Sequence, residues 1–411
     1  MLGMMPSRKP KVLIVGGGIG GLTTSLALKF RGIDALLFEQ AAEFREVGAG
    51  IQLSCNATRI LTALGVGEAL AGIAVYPEGR DYRAWDTGER LFWTPLGKRA
   101  EMTFGAPYYH AHRAELLGVL LDALGQQGLR LNSRVSTFSQ GADSVAITLA
   151  DRTTFEGDIL IGADGIHSTV RSALFGQRQA RYTGNVAWRG LVPAEAIAHL
   201  RLERVTGVWM GPNRSIVQYY VSAGRTFNWI GISRSPLPAQ ESWLAEGDIK
   251  DALADYTGWH PTIRTVIRLT STVLRQALYD REPLPDWSVG RVALLGDAAH
   301  PMLPFYAQGA AQSIEDAYVL AGCISIWPEK PALALSEYVR LRQPRTAWMQ
   351  DLSRREEELY QMNDIQTIAQ RNERMRRHCT PETAKFPPEQ ITLYGYDADA
   401  VVTSAAMTAS A

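Results

Sequence analysis

Residues 11–21 run Lys11-Val12-Leu13-Ile14-Val15-Gly16-Gly17-Gly18-Ile19-Gly20-Gly21. The apolar run reads as a short buried strand, and the glycines read as a tight turn into a helix over Gly20 to Arg31, with Leu22, Leu26 and Phe30 spaced for one face. Gly32 is the helix stop, and Ala35 to Glu39 is again apolar, so the segment reads as a βαβ unit. Gly16, Gly18 and Gly21 satisfy the spacing GxGxxG. The first glycine makes the turn, the second lets backbone approach a pyrophosphate, and the third lets helix and strand close, while the helix N-terminus offers unpaired N–H groups to the anion. Glu39 ends the second strand, where an acid can bind ribose hydroxyls. The motif predicts a dinucleotide and does not distinguish FAD from NAD.

Outward from this unit, residues 40–110 supply no second mononucleotide half. Gly48-Ala49-Gly50-Ile51 is followed by a helical stretch near Ala57 to Ala71, an aromatic and charged segment from Gly79 to Trp93, and a helix from Glu115 to Gly125. The turn Gly141-Ala142-Asp143 marks a hairpin between residues 130 and 149. A second apolar strand then runs into Asp164-Gly165, with Ser168 placed to cap the following helix and His167 read as a turn residue. A third strand ends in Gly296-Asp297, followed by His300-Pro301 and a helix beginning near Gly309. An Asp at a strand's carboxyl end can accept hydrogen bonds from a polyol, and the helix start suits a group that becomes negative during turnover. Between the second and third sites, residues 182–282 alternate Trp, Tyr and Val with turn signals and read as an antiparallel sheet, a wall for a substrate pocket. Beyond 331 the chain reads as two helices, Ala332 to Arg342 and Arg345 to Met362, whose charges form a solvated face, and as a frayed end from Ala400.

The whole chain has 411 residues, 42 basic and 42 acidic side chains and three cysteines. Zero net charge gives no reason to expect nucleic acid or an anionic membrane as partner. The scattered cysteines suggest neither a disulfide framework nor a metal site, and fit a reducing, cytoplasmic setting. No apolar stretch is long enough to span a membrane.

Together the three sites resemble the single-component FAD-dependent aromatic hydroxylases, the class A flavoprotein monooxygenases, over most of residues 11–325. The motifs are Gly16, Gly18, Gly21 and Glu39; Asp164, Gly165, Ser168 and Arg171; and Gly296, Asp297, His300 and Pro301. Within that family the chain is similar to salicylate hydroxylases, 3-hydroxybenzoate 6-hydroxylases and 6-hydroxynicotinate hydroxylases, through Gly48-Ala49-Gly50-Ile51, Ala307-Gln308-Gly309-Ala310, Glu315-Asp316 and Leu393 to Ala398. The resemblance implies an α/β fold: a Rossmann-like FAD-binding domain (1–181 with 283–330), an inserted antiparallel-sheet substrate domain (182–282) and C-terminal helices (331–411). Residues 76–105 are left assignable to either of the first two. It also implies tightly bound, non-covalent FAD, reduced by NADH or NADPH, and O₂ captured as a flavin C4a-hydroperoxide. The oxygen then passes to a small phenolic or hydroxy-N-heteroaromatic carboxylic acid, with or without decarboxylation, in a monomer or homodimer and without a metal.

The cofactor residues expected on this basis are Gly16, Gly18, Gly20, Gly21, Glu39, Arg45, Gly50, Ile51, Arg113, Asp164, Gly165, Arg171, Gly296, Asp297, Gln308, Gly309 and Ala310. On the substrate side the expectations are Tyr219 to orient the hydroxyl, Gln218 as its hydrogen-bond partner, Arg189 for a carboxylate and Pro301 against the flavin ring. An ordinary tyrosine, with a pKa near 10, is a poor base at neutral pH. Two other readings stay open at this level: an NAD(P)-dependent dehydrogenase without flavin, and a non-catalytic flavin-binding redox sensor.

Overall fold

Strand Val12–Val15 lies between Ala35–Phe38 and Ile159–Gly162, parallel to both, with Val12 opposite Ala35 on one side and Ile159 on the other. In the computed structural model, which describes residues 9–44, 49–177, 179–236, 245–376 and 384–410, six strands complete this first sheet. Val292–Leu294 pairs parallel beyond Ile159–Gly162, Ser288–Val289 closes that edge, and Leu129–Arg130 lies at the other. The three motifs therefore leave the same rim of one sheet, the rim at which open α/β sheets bind ligands.

Val12, Leu13 and Ile14 are fully buried, which is why the strand is a continuous apolar run without alternation. Helix Ile19–Phe30 packs between helices Arg113–Leu124 and Gly309–Ile326 and is buried nearly all round from Ile19 to Leu28. Phe30, expected on its inner face, is exposed.

The second sheet has eight strands, in the order Glu246–Gly247, Val273–Asp280, Arg181–Pro193, Thr226–Arg234, Arg214–Val221, Thr206–Gly211, Gly79–Ala84, Arg90–Pro95. Strands from before and after the second motif thus share one sheet, Gly79–Ala84 pairing parallel with Thr206–Gly211. Alternation sorts its residues. One face carries Trp188, Trp209, Phe227 and Trp229 beneath helices Ile249–Asp255 and Pro261–Arg268. The other carries Ala187, Val208, Val217 and Ile230, with Arg189, Tyr219 and Asn228 in the same registers, and turns toward the 301–308 loop and the first sheet.

Two C-terminal expectations are corrected. Pro331–Tyr360 is one helix that continues through Pro344. Its charges are not simply solvated: Arg342 is fully buried and Arg345 nearly so, because both reach Glu315 on helix Gly309–Ile326. Ala398–Ser410 is a helix and not a frayed end; Val402 packs on Gly322, and Asp399 accepts from the Tyr318 hydroxyl at 2.8 Å.

Candidate active site

At the first motif, Gly16 has φ +104°, and a Cβ there would meet the backbone of Ala163. At Gly21 a Cβ would run into the carbonyl of Gly16, so this glycine brings helix and strand together as expected. Gly18 faces open space, and the helix it begins has neither a side-chain cap nor an acidic residue in its first turn. Its first N–H groups are thus left for an anion. Gly20, expected to touch cofactor, instead lies against Leu295 and Ser313, where it lets the helix approach the third motif. Glu39 accepts from the amides of Gly17 at 2.7 Å and Ala41 at 2.8 Å, which pins the end of the second strand to the glycine turn.

The second motif closes on itself. Asp164 accepts from Ser168 Oγ at 2.5 Å and from the amides of Thr169 at 2.7 Å and Val170 at 3.2 Å, while Ser168 Oγ accepts from the Arg171 amide at 2.9 Å. The Arg171 guanidinium donates to the carbonyls of Ile166 at 2.5 Å, Ala298 at 3.0 Å and Asp297 at 3.4 Å. On this geometry Asp164 caps a helix, and Arg171 also supports the segment that carries Asp297. Gly165 makes the corner at φ +73°.

At the third motif, Gly296 has φ +62°, faces Ser313 and donates its amide to Asp316 at 3.2 Å. Asp297 is aimed at the start of helix Gly309–Ile326, with its Oδ1 being the atom nearest to where a Gly309 Cβ would stand. Burial pushes the Asp297 carboxyl up, and His300, Arg113 and Arg171 pull it back. No described residue donates a hydrogen bond to it. The helix start has no side-chain cap, so the amides of Gly309 and Ala310 also face the site. The Gln308 side chain is buried and donates to Ser54 Oγ at 2.9 Å, so the contact expected at this residue is one of its backbone.

Behind this rim lies a buried ionic network. His300 Nε2 is 2.5 Å from Asp316; Arg342 reaches Asp316 at 2.7 Å and Glu315 at 2.5 Å; Arg345 reaches Glu315 at 2.7 Å; and Asn56 donates to Glu315 at 2.5 Å. These bonds hold both the Gly296-Asp297 turn and the helix start.

These residues fit FAD. Two uncapped helix starts face the positions where pyrophosphate and a reduced ring carry negative charge, and an unbonded carboxylate stands where a ribityl chain offers hydroxyls. Gly50 and Ile51 lie on strand Gly50–Leu53, which pairs with Tyr109–His112. The Gly50 amide donates to Asn228 Oδ1 at 2.7 Å, and a Cβ at Gly50 would strike Asn228 and Tyr219. Arg113 adjoins the same strand, its amide donating to Ala49 at 3.1 Å. Arg45 lies outside the described residues. Among those residues no group of three His, Cys, Asp or Glu could hold a metal, and no helix is long and apolar enough to cross a membrane.

On the substrate side, Arg189 and Tyr219 share the inner face of the second sheet, on strands either side of Thr226–Arg234. Burial lowers Arg189 to about 10, with Tyr219 pulling it back and Arg113 adding to the fall. Burial raises the Tyr219 phenol, with Arg189 opposing. Gln218 is corrected: as Tyr219's neighbour in a strand it points to the other face, beside Gly207 and the Trp209 layer. Pro301 is half-buried at the loop, its carbonyl accepting from Gln350 at 2.9 Å.

His110, Gln52, Tyr108, Arg80 and Asn228 belong to this face and are missed by sequence reasoning. His110 stacks on Tyr219 with centroids 4.4 Å apart and lies 2.7 Å from Thr206 Oγ1; burial, with Arg80, lowers it to about 3, so it is neutral at neutral pH. The available signal was the Tyr108-Tyr109-His110 run just before Arg113, in which strand alternation places Tyr108 and His110 together.

The model of the FAD binding domain family matches residues 9–351. The chain is 39% identical over 380 residues to a 3-amino-4-hydroxybenzoate 2-monooxygenase of Streptomyces cremeus, covering 92% of this chain and 94% of that protein. It is 33% identical to a 6-hydroxynicotinate 3-monooxygenase of Pseudomonas fluorescens, covering 84% and 91%. The crystal structure of Klebsiella pneumoniae HpxO with FAD and uric acid superposes with a TM-score of 0.80 at 28% identity, covering 97% and 96%. With the three motifs on one rim of the parallel sheet and these similarities over nearly the whole chain, the chain belongs to the FAD-binding family of flavoprotein aromatic monooxygenases.

Proposed function

We propose that the chain hydroxylates a small phenolic carboxylic acid on its aromatic ring, with an aminohydroxybenzoate as the favoured substrate. The observation that carries this reading is the placement of Tyr219 and Arg189 on the same face of the sheet, the one turned toward the three motifs, from two different strands. The relative named for 3-amino-4-hydroxybenzoate, similar over nearly its whole length, supports the aminophenol ring. FAD, when bound and reduced by NAD(P)H, supplies the activated oxygen.

This chain's residues do the rest. Tyr219 orients the substrate hydroxyl: its phenol is raised by burial, so it stays protonated and can donate or accept a hydrogen bond without acting as a base. Arg189, which remains a cation at neutral pH, favours the phenolate form of the ring and so makes it electron-rich. His110 holds the Tyr219 ring by stacking. The apolar part of the wall, Val208, Val217 and Ile230, keeps water from the reacting atoms.

The test is a panel of hydroxybenzoates, aminohydroxybenzoates and hydroxypyridine carboxylates, scored for NAD(P)H oxidation together with hydroxylated product. Tyr219→Phe is expected to lower product per NAD(P)H oxidised by roughly 10- to 100-fold, the scale of a misplaced reacting group, while FAD content stays unchanged. Unaltered coupling and yield in that variant would remove Tyr219 from the mechanism.

A further inference from the structure

A second guanidinium on the inner face, Arg80, is buried without a carboxylate partner among the described residues. Arg342, also fully buried, meets two carboxylates. Arg80 is 5% exposed and donates through Nη2 to Gln52 Oε1 at 3.2 Å and to the Tyr108 hydroxyl at 3.1 Å, with the Tyr82 hydroxyl also bonded to it. All three partners are neutral, and no carboxylate among the described residues lies within ion-pairing distance. Its neighbour Asp81 points to the opposite face and is taken up by Arg83 at 2.6 Å and Arg90 at 2.9 Å. The acid whose field reaches Arg80 is Glu356, which burial pushes toward its neutral form and which is bonded to Tyr360. Tyr394 and Tyr306 pack around the same spot.

A charge withdrawn from water without a counter-ion is strongly unfavourable, and proteins pair such charges. Arg80 has therefore been built to receive an anion from outside the chain. Its position says which. Gln52 Oε1 accepts from Tyr108 at 2.7 Å, the Gln52 side chain lies near the Tyr219 phenol, and Gln52 lies two residues beyond Gly50, at which a Cβ would strike Tyr219. Arg80, Gln52 and Tyr108 thus form one hydrogen-bonded cluster beside the tyrosine that orients the substrate hydroxyl. The planar fork of a guanidinium matches a carboxylate through two parallel hydrogen bonds.

We infer that Arg80, held in place by Gln52 and Tyr108, is the seat of the substrate carboxylate and selects acids over the corresponding neutral phenols. This rests on the reading of the substrate as a phenolic acid. It leaves Arg189 to the ring oxygen and moves the carboxylate to the far end of the pocket.

The experiment uses the FAD-loaded enzyme and two probes, 3-amino-4-hydroxybenzoate and 2-aminophenol, which lacks the carboxylate. Dissociation constants are read from the change each probe makes in the flavin absorption spectrum. The wild type is expected to bind the acid roughly 10- to 100-fold more tightly than the phenol, the span of charge-assisted hydrogen bonds. Arg80→Gln should erase that preference with little change for 2-aminophenol, and Arg80→Lys should keep part of it, because it retains the charge without the fork. Should Arg80→Gln fail to retain FAD, Arg80→Lys alone reads the change in preference. A preference that survives in the variants, equal weakening of both probes, or no preference in the wild type would overturn the assignment. An Arg80-dependent preference without hydroxylated product would leave Arg80 as the carboxylate seat and refute the proposed reaction.

Discussion

Arg342→Met is expected to destabilise the protein by about 3–5 kcal/mol, the range for removing one partner of a buried ion pair. The arginine is fully buried and joins Glu315 to Asp316, so its loss leaves two carboxylates in the interior with fewer counter-charges. Urea unfolding followed by circular dichroism measures the effect. Arg355→Met, which removes an exposed pair with Asp351 one helical turn away, is the control and should change stability by less than about 1 kcal/mol. Equal effects of the two substitutions would contradict the role given to the network.

The same network predicts a dependence on pH. Burial alone would raise Asp316, but His300 and Arg342 overcome it and hold the carboxyl down to about 2. A folded-state pKa below the unfolded value means that the charged form stabilises the fold. That contribution is complete above the ordinary aspartate value and disappears as the pH falls from about 4 toward 2. In Arg342→Met part of this depression is relieved, so the acid loss keeps its onset near the unfolded value but should be smaller and complete at a higher pH.

Asp297→Ala is expected to give a folded protein that loses its flavin, with FAD affinity reduced by roughly 10²- to 10⁴-fold. The carboxylate is bonded by no described residue and faces the start of helix Gly309–Ile326, so two hydrogen bonds to cofactor hydroxyls, each worth about 1.5–3 kcal/mol to a charged group, would vanish together. The readout is the flavin-to-protein absorbance ratio after gel filtration, followed by titration with FAD. A yellow, stoichiometrically loaded variant would count against the placement of Asp297.

Much of the scaffold was legible in the sequence because its signals are local. Glycine spacing, a strand ending in Asp-Gly and another ending in Gly-Asp each fix a turn within a few residues, and the parallel sheet brings these turns to one rim. What could not be read depends on partners distant in sequence. Asp164 and Arg171 read as cofactor ligands, and their hydrogen bonds also close their own corner and support Asp297. Arg354 to Glu358 read as a solvated face, yet Arg354 pairs with Asp280 and Glu357 accepts from Asn185, both distant in sequence.

Gln218 and Tyr219 show the limit most plainly. They are adjacent in sequence but lie on opposite faces of a sheet, and only the strand pairings tell which of them faces the flavin site. Arg80 was not selected because nothing local distinguishes it from Arg83 or Arg90. Its lack of a carboxylate partner becomes visible only when Gln52, Tyr108 and Asp81 are placed around it.

The central claim is that this chain inserts one oxygen atom from O₂ into a phenolic acid held between the two sheets. Turnover of 3-amino-4-hydroxybenzoate with NAD(P)H under ¹⁸O₂, with the product analysed by mass spectrometry, tests it directly. The expected result is a product carrying a single ¹⁸O atom, formed in proportion to the NAD(P)H oxidised. An unlabelled product, or NAD(P)H oxidation that yields only hydrogen peroxide across the whole panel of phenolic acids, would contradict it.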